Sequence, residues 1–442
     1  MNNLAILLIA CCFLVSCASK PHVPETTKAE RSKFKAHLID TTIEGALAQP
    51  LTRETEATWQ GAFWGMELTR YKSDATTQAI HTAFAKWDAA TPTFQRALLE
   101  VVYTIYPGDF LPETKRVLAS TKSEKLFAMA ALQVLRATQW KDEGIISEQM
   151  QRRFPSYLSN PILHMLSYDM QQSLAEPPQR IPPIADLLSA PFEKGKPVIF
   201  SLQRKNRRFS GLALVRDANG KFVKVNGSNY FSIPQLALAS SNLPGYLTNG
   251  NTPQGIFSVQ GFGRSDNVFI GPTVNVQMQL PFEAKPFEYF HTADKSDSVW
   301  TKERYDHLLP VSWRSYLPIY TAFYAGEAGR TEIIGHGTTV DPAFYEGEPF
   351  YPNAPTMGCL SAVESWSLEN GARVSSEQQK LVDMMKKIGF GNGYVVVAEL
   401  NDDQRAVTLE EMLPLVSAAD LKPADKAAKG WSFARAAPAD RQ

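Results

Sequence analysis

Two periods of hydrophobic and polar positions divide the chain. From residue 40 to about 175 the apolar side chains recur at helical spacing. Thr91-Pro92, a cap residue with proline at the first helical position, precedes Phe94, Leu98, Val101, Val102 and Ile105 on one face. Thr121-Lys122-Ser123-Glu124 has the Thr-x-x-Glu form of a capping box and precedes Leu126, Met129, Ala130, Leu132 and Leu135. Sliding Ala97–Val102 onto Ala130–Leu135 gives a register of about 33 residues, which predicts stacked helix pairs of a short solenoid. Such an array could receive a protein partner, or its stripes could be plain core. Pro177-Pro178 and Pro182-Pro183 break any helix and mark a linker over residues 177–195.

Period two takes over from Val198. Gly211–Val215 and Phe222–Val225 flank Asp217-Ala218-Asn219-Gly220, where Asn-Gly favours a hairpin turn. Ile256–Val259 reads as a strand, and Val274, Val276, Met278 and Leu280 alternate with Asn275, Gln277 and Gln279. Ser375-Ser376-Glu377-Gln378 caps a helix that carries Leu381, Met385 and Ile388 and stops at Gly389; Tyr394–Leu400 reads as a buried strand. The expected architecture is α+β and multidomain: a helical domain over 40–176, then a mostly β domain over 196–400. A helix from Thr408 to Leu421 and a mobile Ala-, Lys- and Asp-rich tail fill residues 401–442.

Leu4–Val15 is an apolar stretch of 12 residues, too short to span a bilayer and of the length of a signal-peptide core. Leu14-Val15-Ser16-Cys17 resembles the bacterial lipoprotein box, which implies cleavage before Cys17 and a lipid on its thiol. Ala18-Ser19, with no Asp, implies by the same resemblance an outer-membrane anchor facing the periplasm. Residues 18–39 read as a polar tether. Lys plus Arg and Asp plus Glu are both 45, so the chain lacks the basic excess of a nucleic-acid binder. Three of the four cysteines lie in the first 17 residues, which leaves Cys359 alone in the body.

Cys359 ends Pro355-Thr356-Met357-Gly358-Cys359, 23 residues after the histidine of Gly335-His336-Gly337. A thiol is nucleophilic as its thiolate, so a catalytic cysteine needs an imidazole or a positive charge nearby, and His336 is the candidate. Gly358 leaves room for a substrate, the Gly358 and Cys359 amides could face an oxyanion, and the Gly337 carbonyl could orient the imidazole. The plainer alternative makes Cys359 a small buried hydrophobe and His336 part of a turn. His81, His164, His291 and His307 lack zinc-ligand spacing, and no cofactor is implied. Arg204-Lys205 and Arg207-Arg208 read as a solvated turn. The aromatics of residues 300–351, from Trp300 to Tyr351, could be a lid over a peptide or core.

Thr252-Pro253-Gln254-Gly255, His336-Gly337, Thr356-Met357-Gly358-Cys359 and the helix-to-strand ending at Leu400 together resemble the L,D-transpeptidase catalytic domain (YkuD-type), over roughly residues 196–400. The resemblance implies Cys359 as nucleophile, His336 as base and Gly337 as its orienting group. It implies substrate contacts at Thr356, Met357, Gly358 and Ser361. Met357 stands where the family usually has a second histidine, and Ser361 where it often has Asn or Arg. The implied reaction is attack on a peptidoglycan stem peptide with loss of D-alanine, the thioester being resolved by an amine or by water. A carboxypeptidase or endopeptidase, or an inactive wall-associated scaffold, are the alternatives.

Overall fold

The computed structural model describes residues 21–421, apart from Pro178 and Lys194. The signal-peptide core, the lipobox with Cys17 and the tail from residue 422 lie outside the described residues. The helical region comprises α1 (Lys28–His37), α2 (Glu56–Thr69), α3 (Asp74–Ala85), α4 (Pro92–Ile105), α5 (Leu111–Ser120), α6 (Glu124–Ala137), α7 (Glu143–Arg153) and α8 (Pro161–Leu174). In series, α2 packs on α4, α4 on α6 and α6 on α8, while α3, α5 and α7 pack against α4, α6 and α8. Local chemistry sets the starts. Thr91 accepts the Phe94 N–H in front of Pro92, a cap whose loss typically costs about 1 kcal/mol. The second cap differs from the sequence expectation: Ser123 accepts the Leu126 N–H, because α5 runs to Ser120 and Thr121 is spent closing it. Among the described residues no helix is long and apolar enough to cross a membrane.

After α9 (Ile184–Ser189) come β1 (Val198–Gln203), β2 (Gly211–Arg216), β3 (Lys224–Val225), β4 (Asn229–Tyr230), β5 (Ser232–Gln235), β6 (Gly255–Gly263) and β7 (Asn275–Gln279). Short helices α10 (Pro286–Tyr289), α11 (Lys302–Asp306) and α12 (Thr321–Glu327) precede β8 (Ile334–His336) and β9 (Leu360–Ser361). The chain ends with β10 (Glu364–Trp366), β11 (Arg373–Ser376), α13 (Glu377–Lys387), β12 (Gly393–Glu399) and α14 (Leu409–Leu421). An eight-stranded mixed sheet has the order β5-β2-β1-β12-β6-β7-β8-β9. The strand expected at its heart, β12, is buried between β1, parallel to it, and β6, antiparallel. Helix plus large mixed sheet is the α+β architecture that the two periods indicate, with the helices first.

Two sequence expectations need correction, and one left open is decided. Residues 21–39 are not a tether: α1 lies there, and the segment before it is stitched to β10–β11 by Val23 N–H to Gly371 O (2.8 Å) and Arg373 N–H to Pro21 O (2.9 Å). Arg31 pairs with Asp341 at 3.3 Å, and the Phe34 and Phe269 rings sit 5.9 Å apart. The 204–208 turn is solvated only at Lys205 and Arg208. Arg204 is fully buried and grips Glu411 of α14, and Arg207 pairs with Glu399 at 3.0 Å. Of the two readings left open for the aromatics, core is the one the structure shows for Tyr305, Trp313, Tyr316, Tyr320 and Phe323, which lie in one core cluster with β1 and β12.

Residues 177–195 mark a change of structure, with Leu187 and Leu188 of α9 buried in that same cluster. Nor do the two regions pack separately: Leu243, Tyr246 and Leu247 belong to the helical core, and Tyr345 Oη donates to Leu68 O at 2.9 Å.

Candidate functional site

The histidine's strand and the strand that follows the cysteine are neighbours at the edge of the sheet. β8 and β9 run parallel, with Gly335 opposite Leu360 and His336 opposite Ser361. Adjacent parallel strands need a crossover of a dozen residues or more, and that is the work of the 23-residue interval. Cys359 immediately precedes β9, one diagonal step from His336. Gln378 of α13 fixes β8 from beneath by donating to Gly335 O at 2.9 Å.

His336 is 4% exposed, and its Nδ1 lies 2.5 Å from Gly337 O. A carbonyl can only accept, so Nδ1 carries the proton and Nε2 is the acceptor nitrogen. Burial lowers the imidazole below its ordinary value, and the Gly337 contact partly offsets this. The neutral, base-competent form is therefore favoured at neutral pH. Gly337 has a second constraint: a Cβ there would lie 2.2 Å from the Glu364 carboxyl carbon. Glu364 is buried and accepts from Thr273 (2.6 Å) and Ser376 (2.5 Å), and burial raises its carboxyl.

Cys359 is half-buried. Its sulfur accepts the Ile334 N–H at 3.5 Å and lies 3.6 Å from Glu332 O. Among the described residues the imidazole is not one of its hydrogen-bond partners. Burial raises the thiol above its ordinary value; the Ile334 N–H and the Arg330 guanidinium pull it down, and Glu332 pushes it up. Loose nucleophile–base contacts are common before substrate binds.

The other motif residues build the turn that presents the sulfur. Thr356 Oγ1 donates to Cys359 O (2.9 Å) and accepts the Gly358 N–H (2.9 Å), while Thr252 Oγ1 donates to the same Cys359 carbonyl at 3.2 Å. The Gly358 amide expected to face an oxyanion is thus spent inside the turn. Ser361 is sealed from solvent, its hydroxyl donating to Ala354 O at 3.0 Å, so it holds the loop and has no access to substrate. Met357 points the other way and is 54% exposed.

Arg330 escaped the sequence reading. It is 6% exposed and donates to Gly245 O, Gly250 O and Asn251 O. The guanidinium backs onto Gly358 and responds to the charges of Cys359 and Glu100. It ties the 245–251 loop to the turn that precedes Cys359. Nothing near it in sequence announces this, because each acceptor lies some 80 residues away.

Three other histidines have partners of their own: His81 faces Glu113, His164 faces Leu158 O and His291 faces Ser258. Among the described residues no group of three His, Cys, Asp or Glu is placed to hold a metal. No known family's sequence profile matches the chain, and neither a curated protein nor a solved structure matches it.

Proposed function

We propose that the chain is a cysteine acyltransferase of the L,D-transpeptidase kind, acting on peptidoglycan stem peptides from an anchor at Cys17 in the outer membrane, facing the periplasm. The observation that supports this reading is the parallel β8–β9 pair, which brings the strand of His336 next to the strand that begins just after Cys359, with His336 Nδ1 already held by Gly337 O. His336 Nε2 takes the thiol proton as Sγ attacks a stem-peptide carbonyl, then returns it to the departing D-alanine amine. The thioester passes to an amine, or to water if the enzyme is a carboxypeptidase or endopeptidase. The Cys359 amide and the Arg330 charge are the groups that could stabilise the developing anion. In this reading the serial packing of α2, α4, α6 and α8 is a short solenoid-like stack that could also receive a protein partner.

The main-chain partners of the Cys359 sulfur favour a second reading, an inactive wall-associated scaffold in which the thiol is only packed. Incubating the full chain, Cys359→Ala and His336→Ala with disaccharide-tetrapeptide, and following products by mass spectrometry, separates the two. Loss of D-alanine or dimer formation that needs Cys359 and His336 supports the enzyme. Unchanged substrate, with no carbapenem adduct on Cys359, overturns it in favour of the scaffold.

A further inference from the structure

Between α12 and β8 the backbone takes a costly turn. Glu332 has a φ of +62°, a left-handed conformation that a residue with a Cβ keeps only when its surroundings impose it. Glycine would take it freely, but the segment reads Arg330-Thr331-Glu332-Ile333-Ile334. Glu283 supplies the restraint. Its two carboxylate oxygens take one amide each, Oε1 the N–H of Glu332 and Oε2 the N–H of Leu280, both at 2.9 Å. Leu280 directly follows β7 and is buried, so the clamp is anchored on the sheet. Burial raises the Glu283 carboxyl; the two amides lower it, and the Glu332 charge adds a smaller upward push.

The segment held in this way carries what the sulfur touches. The Glu332 carbonyl lies 3.6 Å from Cys359 Sγ and can accept from the thiol, while the Ile334 N–H, at 3.5 Å, can hold the thiolate. The two groups sit on either side of Ile333, which is 3% exposed and fixed in the core beside β7. A change of φ at Glu332 would swing the carbonyl away and re-aim the peptide planes that follow. The charged groups that bear on the sulfur are Arg330, which favours the thiolate, and Glu332, which opposes it; His336 stands two residues beyond Ile334 on β8.

We propose that Glu283 is a positioning residue for Cys359: by holding Glu332 left-handed it sets the Glu332 carbonyl and the Ile334 amide against the sulfur, and so governs the reactivity of the thiol. Its effect on turnover rests on the acyl-transfer reading of Cys359; its effect on the thiol does not. The carbonyl favours the thiol and the amide favours the thiolate. A hydrogen bond to a charged partner is the stronger of the two, so loss of the clamp works against the thiolate.

The test follows iodoacetamide alkylation of the full chain against pH, read at the Cys359 peptide by mass spectrometry. Removing a nearby carboxylate charge by itself favours a thiolate and would move the profile to lower pH, whereas loss of the clamp moves it to higher pH. Glu283→Ala, with its melting temperature recorded alongside, should shift the profile upward and slow alkylation at neutral pH severalfold. Glu283→Gln, which keeps one acceptor oxygen, should shift it less. In a Glu332→Gly background, where the left-handed backbone needs no clamp, Glu283→Ala should leave the profile in place. Glu332→Val and Glu332→Gly lose the same charge and differ in their tolerance of that backbone, which decides the matter if the Glu283 variants do not fold: the valine chain should show the profile at higher pH. A downward or absent shift in Glu283→Ala, or matching profiles for the two Glu332 variants, overturns the clamp. D-alanine release is scored separately: a Glu283-dependent profile with no release leaves the clamp standing and removes the acyl-transfer reading, and release with a profile indifferent to Glu283 does the reverse.

Discussion

Arg330 and Gly358 compete for one volume: a Cβ on Gly358, whose φ is +119°, would lie 1.9 Å from Arg330 Nη2. Gly358→Ala must therefore displace the guanidinium or the nucleophile turn, and it also meets a backbone conformation that side chains rarely adopt. The expected cost is on the order of 1–3 kcal/mol, together with loss of Cys359 acylation. Thermal melting and carbapenem labelling check this, and a variant that melts and labels like wild type would show that the two residues are not in contact.

The charge on Arg330 favours the Cys359 thiolate against the burial that opposes it. Arg330→Gln keeps a donor for the loop carbonyls and removes the charge. The pH profile of Cys359 alkylation, followed at that peptide by mass spectrometry, should move to higher pH. A profile that stays in place or moves down contradicts the electrostatic role.

Gly337 lies almost as close to the Glu364 carboxyl group, where a Cβ would come within 2.2 Å. Gly337→Ala should lower the melting temperature and remove His336-dependent turnover. Glu364→Ala in the same chain should restore part of the stability, with a coupling of about 0.5–3 kcal/mol. Additive effects in the double-mutant cycle would place the clash elsewhere.

Burial raises the Asp169 carboxyl to about 7, even though Tyr246 Oη donates to it at 2.8 Å. An unfolded aspartate has a pKa of about 3.9. Between these values the folded state holds the extra proton, so this group's contribution falls as pH rises from about 4 to about 7, by on the order of a few kcal/mol. His336 acts in the opposite sense, because its lowered folded value withdraws stability as pH drops below about 6.5. Asp169→Asn should flatten the decline of melting temperature between pH 4 and 7. An unchanged slope would mean that Asp169 ionises as freely folded as unfolded.

What could be read from the sequence was local. The cap at Thr91, the period of α4 and α6, the Ser376 cap of α13 and the buried run of β12 each depend on residues within a few positions of one another. Cys359 and His336 were visible as residue types, but the strands that join them are two and three residues long, too short for any alternation to appear. The misread positions all have distant partners. Arg204 and Arg207 look solvated until Glu411 and Glu399, about 200 residues on, supply their counter-charges. The stretch holding α1 looks like a linker because its polar residues gain order from docking onto β10–β11.

If Cys17 carries the proposed lipid, the docking of residues 21–23 onto the sheet hairpin limits how far the protein would stand from that anchor. With a lipid on Cys17, four Cα steps separate the lipidated residue from Pro21, whose carbonyl is already bonded to Arg373. Fully extended, they span roughly 14 Å. The folded body would ride at the bilayer surface, and its range of action would be set by its own dimensions, not by a leash, so that only wall strands passing close to the membrane come within reach of Cys359.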